Sequence, residues 1–181
     1  MGRLLTVGHG TLDRHGLAGL LTGAGTDLLV DIRRFPNSRH NPDVSGDALA
    51  EWLPQAGIDH RWDERLGGRR RLTQDDDREA DSWWRVEAFR AYAAHTRTPE
   101  FLAALDDLAA DVAARTTTVI MCSESVWWRC HRRLIADVLV SLGIEVLHIQ
   151  DDSEAQPHNL AEPGHLVDGI LSYGIRGESP S

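Results

Sequence analysis

Apolar residues along the chain alternate between short unbroken runs and runs spaced by three or four, with glycines between them. Leu4-Leu5-Thr6-Val7 reads as a short buried strand closed by Gly8-His9-Gly10, and Leu12 to Leu21 then takes helical spacing until Gly23 and Gly25. Asp27 to Ile32 is a second buried strand, followed by an irregular stretch rich in Arg, Pro, Asn and Ser from Arg33 to Ser45. A short helix over Asp47 to Gln55, with Leu49, Trp52 and Leu53 on one side, ends at Gly57, and Ile58 to Trp62 suits a third strand.

The middle carries the weakest pattern. Leu66-Gly67-Gly68-Arg69-Arg70-Arg71 and the acidic stretch Gln74 to Asp81 read as a mobile loop, after which helical spacing returns around Trp83, Trp84, Val86 and Phe89. Thr98-Pro99-Glu100 opens a helix to about Ala114, with Thr98 as cap and Pro99 in the first turn. Thr118 to Cys122 is the clearest central strand and Arg129 to Leu142 the clearest helix, stopped by Gly143 before a last strand at Ile144 to Ile149. This order predicts a three-layer α/β fold: a mostly parallel sheet of four to six strands with helices on both faces. It forms one domain over 1–181, with its core at about 3–150 and a polar C-terminal extension at about 151–181.

Composition narrows the function classes. The chain has 181 residues, 41% hydrophobic and 26% charged, as in ordinary globular proteins. No apolar run is long enough to span a membrane and the first residues lack a signal-peptide core, so a cytoplasmic location and no membrane partner are expected. A net charge of −9 argues against coating nucleic acid through bulk electrostatics. All 19 basic residues are arginines, which excludes lysine Schiff-base chemistry and the P-loop lysine and leaves planar forks suited to phosphate or carboxylate. Cys122 and Cys130, eight positions apart, form neither a disulfide framework nor a paired zinc spacing.

Ligands of open parallel sheets bind beyond the carboxyl ends of the strands. That rule brings together His9, the segment Asp31 to Arg39, and the segment Cys122 to Arg132. Thr6-Val7-Gly8-His9, Leu29-Val30-Asp31-Ile32-Arg33, Phe35-Pro36-Asn37-Ser38-Arg39 with Asn41-Pro42, Leu66-Gly67-Gly68, and Met121-Cys122-Ser123-Glu124 with Cys130-His131-Arg132 and Ile135-Ala136 are similar to a bacterial family catalogued as domain of unknown function 488. The likeness runs from about residue 4 to 149 and implies a compact α/β fold with a shared polar pocket; it implies no activity. A weaker resemblance to rhodanese-type domains places Asp31-Ile32-Arg33 after an early strand and Cys122 at the end of a later one. The loop Ser123 to Trp128 departs from that pattern by its bulk and its carboxylate.

Each candidate has a structural alternative. Cys122 suits either a nucleophile or a packed core thiol. Cys130 stands either in a first helical turn, which lowers a thiol's pKa, or on the buried stripe with Leu134. His9 suits either acid/base work or a bond to a loop carbonyl, and His131 either the site or the helix–sheet seam. Glu124 suits a general acid or base raised in pKa by Trp127 and Trp128, or a helix-entry cap. Arg33, Ser38, Arg39 and Arg132, with Cys130 and His131, suit anion binding, although Asp31 can pair with one arginine structurally. Arg69 to Arg71 suit a solvated loop or a lid over an anion. The tryptophan pairs suit packing or base stacking.

No cofactor is predicted, and a metal site from His9, Cys122, Cys130 and His131 lacks tight ligand spacing. Three functions follow. The first is an enzyme on a phosphate-bearing or other anionic substrate, such as a nucleotide or nucleic acid, with Glu124 and His9 as acid/base pair. The second is a non-catalytic nucleotide or single-stranded nucleic-acid binding module. The third is rhodanese-like thiol chemistry led by Cys122.

Overall fold

The structure is a computed structural model that describes residues 2–150 and 154–174. Strands β1 (Arg3–Gly8), β2 (Leu28–Asp31), β3 (Asp59–Trp62), β4 (Thr117–Cys122) and β5 (Val146–His148) run parallel, and β6 (Gln156–Pro157) adds an antiparallel edge to give the order β3-β2-β4-β1-β5-β6. The expected three-layer α/β architecture is present.

Strand alternation decides which helix packs where. Leu4, Leu28, Val30, Ile120 and Cys122 point to one face, under α3 (Glu87–His95), α4 (Pro99–Ala114) and α5 (Arg132–Ser141). Leu5, Val7, Leu29, Val119 and Met121 point to the other, under α1 (Arg14–Gly23) and α2 (Gly46–Gln55). Central strands buried on both sides read as continuous apolar runs for this reason. Asp13, Ser45 and Thr98 accept hydrogen bonds from backbone N–H groups at the starts of α1, α2 and α4, the caps that the local sequence encodes.

Two boundaries differ from the sequence reading. The last large helix begins at Arg132 and not at Arg129, because Trp127–Arg129 forms a separate 3-10 turn and Cys130 is extended. Helical structure after the acidic stretch starts at Glu87, so Trp83 and Trp84 precede it. Residues 67 to 86 carry no strand or α-helix, yet Arg70 pins their start by donating to the carbonyls of Gly67, Glu64 and Arg65.

The extension does more than its polarity suggests. After β6 it forms a hairpin, β7 (His165–Val167) with β8 (Ile170–Ser172), and returns Ala161, Leu171 and Tyr173 to the core on the α5 side. Residues 151–153 and 175–181, with the Gly/Ser/Pro-rich end, lie outside the described residues. Among the described residues, no helix is long and apolar enough to cross a membrane.

Candidate functional site: a dithiol cavity at the sheet rim

Connections leave β1 and β2 over one face of the sheet and β4 over the other, so a crevice opens at the carboxyl end of β4. Register aligns the strand ends: Gly8 lies opposite Cys122, and Asp31 opposite Met121. Gly8 is required by close approach, since a Cβ there would stand 1.8 Å from the Glu124 carbonyl oxygen and 2.7 Å from Arg132 Nη2. Arg132 is fully buried. Its Nη1 donates to Thr6 Oγ1 at 3.3 Å, and its Nη2 to the carbonyls of Glu124 and of Ser125. The guanidinium therefore staples the loop after β4 to the sheet.

The Asp31-Ile32-Arg33 segment is an internal staple as well. Arg33 meets Asp31 through a two-point ion pair, Nε to Oδ1 at 2.8 Å and Nη2 to Oδ2 at 2.6 Å, and also holds the Val44 carbonyl at 2.7 Å. Its Nη1 reaches His9 Nε2 at 3.3 Å while His9 Nδ1 faces the Gly10 carbonyl at 3.0 Å. A ring that donates from Nδ1 and accepts at Nε2 is neutral, and burial, followed by the Arg33 charge, lowers the His9 pKa accordingly. The histidine belongs to the wall behind the crevice.

On the α3–α5 side, the loops after β2 and β4 close with Gly68, Arg69 and α3 around a cavity of about 380 Å³. Cys122, Cys130, Tyr92 and His131 line it together with Phe35, Phe89 and the guanidinium-bearing Arg34, Arg69 and Arg129. Both cysteines are buried and free, and their sulfurs lie 2.8 Å apart. His131 Nδ1 stands 3.4 Å from Cys130 Sγ, and its ring packs tilted against Tyr92. Burial opposes ionisation of both thiols, but the two are driven apart. Cys130 falls well below the usual thiol range because Cys122, His131 and Arg132 favour its thiolate. Cys122 rises, through burial and its neighbouring sulfur. Of the two, Cys130 is thus the thiol favoured to ionise and Cys122 the one favoured to keep its proton.

The glycines of Leu66-Gly67-Gly68 fit this wall. A Cβ on Gly67 would stand 2.7 Å from the Arg34 backbone, and one on Gly68 2.8 Å from His131 Nδ1. Tyr92 OH donates to the Leu66 carbonyl at 2.6 Å, fixing the same turn from α3.

The sequence candidates thus divide. Cys122, Glu124, Cys130, His131 and Arg33 line the cavity. Glu124 is exposed, not sheltered by the tryptophans, and its carboxylate accepts from the Val126 N–H at 3.2 Å. Trp127 instead stacks on His148 at 4.1 Å. Ser38 Oγ accepts from the Asn41 N–H at 3.0 Å, within its own loop, and Arg39 is exposed; neither borders the cavity. Arg34, Phe35 and Arg129 are cavity residues that lie within the rim segments read from the sequence but were not singled out there, and Tyr92 lies outside those segments. Their positions in the loops after β2 and β4 pointed towards Arg34, Phe35 and Arg129, whereas nothing in the sequence pointed towards Tyr92.

Beneath the β4 loop runs a buried polar chain. Thr6 Oγ1 faces His148 Nδ1 at 2.7 Å, His148 Nε2 faces His158 Nδ1 at 2.9 Å, and His158 Nε2 faces Asp137 Oδ1 at 2.9 Å. Tyr173 OH donates to the other Asp137 oxygen at 2.7 Å. Arg132 donating to Thr6 at one end and Asp137 accepting at the other allow every link to run in one direction, with His148 accepting at Nδ1 and donating from Nε2. Burial, then His158 and Arg132, push His148 down to about 3.

A family model described as "Domain of unknown function DUF488" matches residues 14–139. The chain belongs to that family. No curated protein and no solved structure matches it. The matched span holds α1 to α5 up to Leu139 and both cysteines, and so most of the cavity wall.

Proposed function

We propose that the chain is a thiol-dependent enzyme acting on a small anionic substrate, with Cys130 as nucleophile. One observation carries the reading: the Cys122–Cys130 pair at 2.8 Å, with His131 at 3.4 Å, in the wall of a cavity lined by four arginines, of which Arg33 is paired with Asp31. A nucleophilic cysteine needs a stabilised thiolate with access to a substrate; the neighbouring sulfur and imidazole support the first and the cavity beside Cys130 the second. Arg34, Arg69 and Arg129 enter no ion pair among the described residues and supply the forks for a carboxylate or phosphate. Free thiols of this kind suit a reducing, cytoplasmic setting.

The acid/base alternative with Glu124 and His9 has less behind it, since His9 is held by Arg33 and Gly10 outside the cavity lining. The rhodanese-type alternative needs free loop amides around an anion. Here the N–H groups of Val126, Arg129 and Cys130 are spent on Glu124 Oε1 and on the carbonyls of Val126 and Trp127.

Alkylation by iodoacetamide, followed by mass spectrometry across pH 5 to 9, tests the reading. One thiol should react at a pH-independent rate down to at least one unit below the ordinary thiol pKa of about 8.5. Cys130→Ser should abolish that fast phase, and inorganic phosphate should slow it. Reaction rising only through about pH 8.5 removes the thiolate and the proposal with it.

A further inference from the structure

We infer that the Cys122–Cys130 pair is a two-electron dithiol–disulfide centre that reduces small disulfides carrying carboxylate or phosphate groups, with Cys122 as the resolving thiol. This deepens the thiolate reading and rests on it, but it asks more: a second sulfur must finish the reaction.

Geometry supplies that second sulfur. Cys122 ends β4 and Cys130 sits in the extended residue after the 3-10 turn, so an eight-residue chain reversal returns the two thiols to one point. At 2.8 Å they stand nearer than unbonded sulfurs normally pack, less than one ångström outside the 2.03–2.05 Å of a disulfide bond. Closing that gap needs side-chain adjustment, not a rearrangement of the sheet. A single nucleophilic cysteine has no use for a neighbour held this close, whereas a mixed disulfide on Cys130 would be attacked by it at once.

The step balances as follows. Cys130 thiolate attacks one sulfur of a substrate RSSR, the substrate S–S bond breaks, and one RS⁻ leaves. Cys122 gives its proton to that RS⁻, and its sulfur attacks Cys130 Sγ, expelling the second RS⁻ as the protein disulfide forms. The substrate gains the two electrons that the cysteine sulfurs lose, and one RSH and one RS⁻ depart. A low-molecular-weight thiol restores the dithiol by the reverse exchange.

The walls select the substrate. Phe35 and Phe89 offer apolar contact, and Arg34, Arg69 and Arg129 outnumber the one lining carboxylate, Glu124, on a chain whose net charge is −9. A second hollow of about 630 Å³ shares Arg34, Phe35 and Arg69 and continues to Arg71, giving room for an anionic tail. Anionic disulfides should therefore react faster than neutral ones, and cationic ones slowest.

The test uses the full chain with three probes: glutathione disulfide (anionic), hydroxyethyl disulfide (neutral) and cystamine (cationic). With glutathione disulfide the wild type should release both glutathione halves and lose the mass of two hydrogens, and dithiothreitol should restore it. Cys122→Ser, or Cys122→Ala if the serine variant misfolds, should stop at a stable single-glutathione adduct. Cys130→Ser should do neither. Rates should fall about tenfold from anionic to cationic probe at low salt, and Arg69→Ala should narrow that span. A Cys122 variant that turns over without accumulating adduct, or a wild type that holds its adduct, overturns the dithiol centre. If Cys130→Ser still removes fast alkylation in that case, the thiolate reading survives alone; if it does not, both fall.

Discussion

At the scale of single residues, the cavity is set by what is absent as much as by what is present. Gly68 leaves His131 its place beside Cys130, since a methyl group there would lie 2.8 Å from Nδ1. Gly68→Ala should push the ring from the sulfur and remove one of the groups that favour the thiolate. The expected result is a rise of about half a unit or more in the pH midpoint of Cys130 alkylation. Stability in urea should change by less than about 1 kcal/mol, because the residue is half-buried in a loop. His131→Ala should give the same direction, and a Gly68→Ala profile that coincides with the wild type would separate His131 from the thiol. Cys130 was legible as a candidate from its place near a helix start. Its contact with Cys122 was not, because eight residues of chain between two thiols do not reveal where a 3-10 turn will point them. Arg132 hid for a related reason: an arginine in sequence reads as an exposed fork, and only the fold spends it on Thr6, Glu124 and Ser125.

At the scale of elements, strands and helices were readable wherever periodicity was strong. The buried runs at Leu4, Asp27 and Thr118 became β1, β2 and β4, and the capped stretch at Thr98 became α4. Misreading concentrated at the β4–α5 connection, where aromatic and charged residues carry no period and where the site is built. That connection depends on Arg132 as a strut from α5 to the sheet. Arg132→Met keeps the volume but leaves Thr6 Oγ1 and two loop carbonyls without a donor. The expected cost is about 3 kcal/mol of unfolding free energy, at the upper end for unsatisfied buried polar groups. Fast alkylation of Cys130 should weaken as well, since the loop that presents it is released. Urea unfolding and iodoacetamide kinetics on one preparation check both, and a variant within 1 kcal/mol of wild type with unchanged kinetics would show that the loop stands without its strut.

At the scale of the whole molecule, the C-terminal extension proves to be part of the core, tied in by groups that lie far apart in the chain. Thr6 from β1, His148 from β5, His158 from the extension, Asp137 from α5 and Tyr173 from beyond β8 form one buried line. No sequence pattern announces such a line, because its members share neither a period nor a motif. Its cost is pH sensitivity. His148 is neutral in the folded protein down to about pH 3, whereas an imidazole in the unfolded chain takes up its proton near pH 6.5. Between those values the unfolded state binds the extra proton, so this contribution to stability is intact above pH 6.5 and declines as pH falls. The slope is about 1.4 kcal/mol per pH unit for one group, or about 2 kcal/mol between pH 6.5 and 5. His9, His60 and His95 are lowered in pKa by burial too and act in the same direction. Urea unfolding of the wild type should therefore lose at least that much over the interval. His148→Gln should be less stable at pH 7.5, for the polar line is broken, but should show a shallower acid limb by about 2 kcal/mol over the same interval. Equal slopes in the two proteins would mean that His148 is protonated in the fold, donating from Nδ1 to Thr6 and from Nε2 to His158 Nδ1.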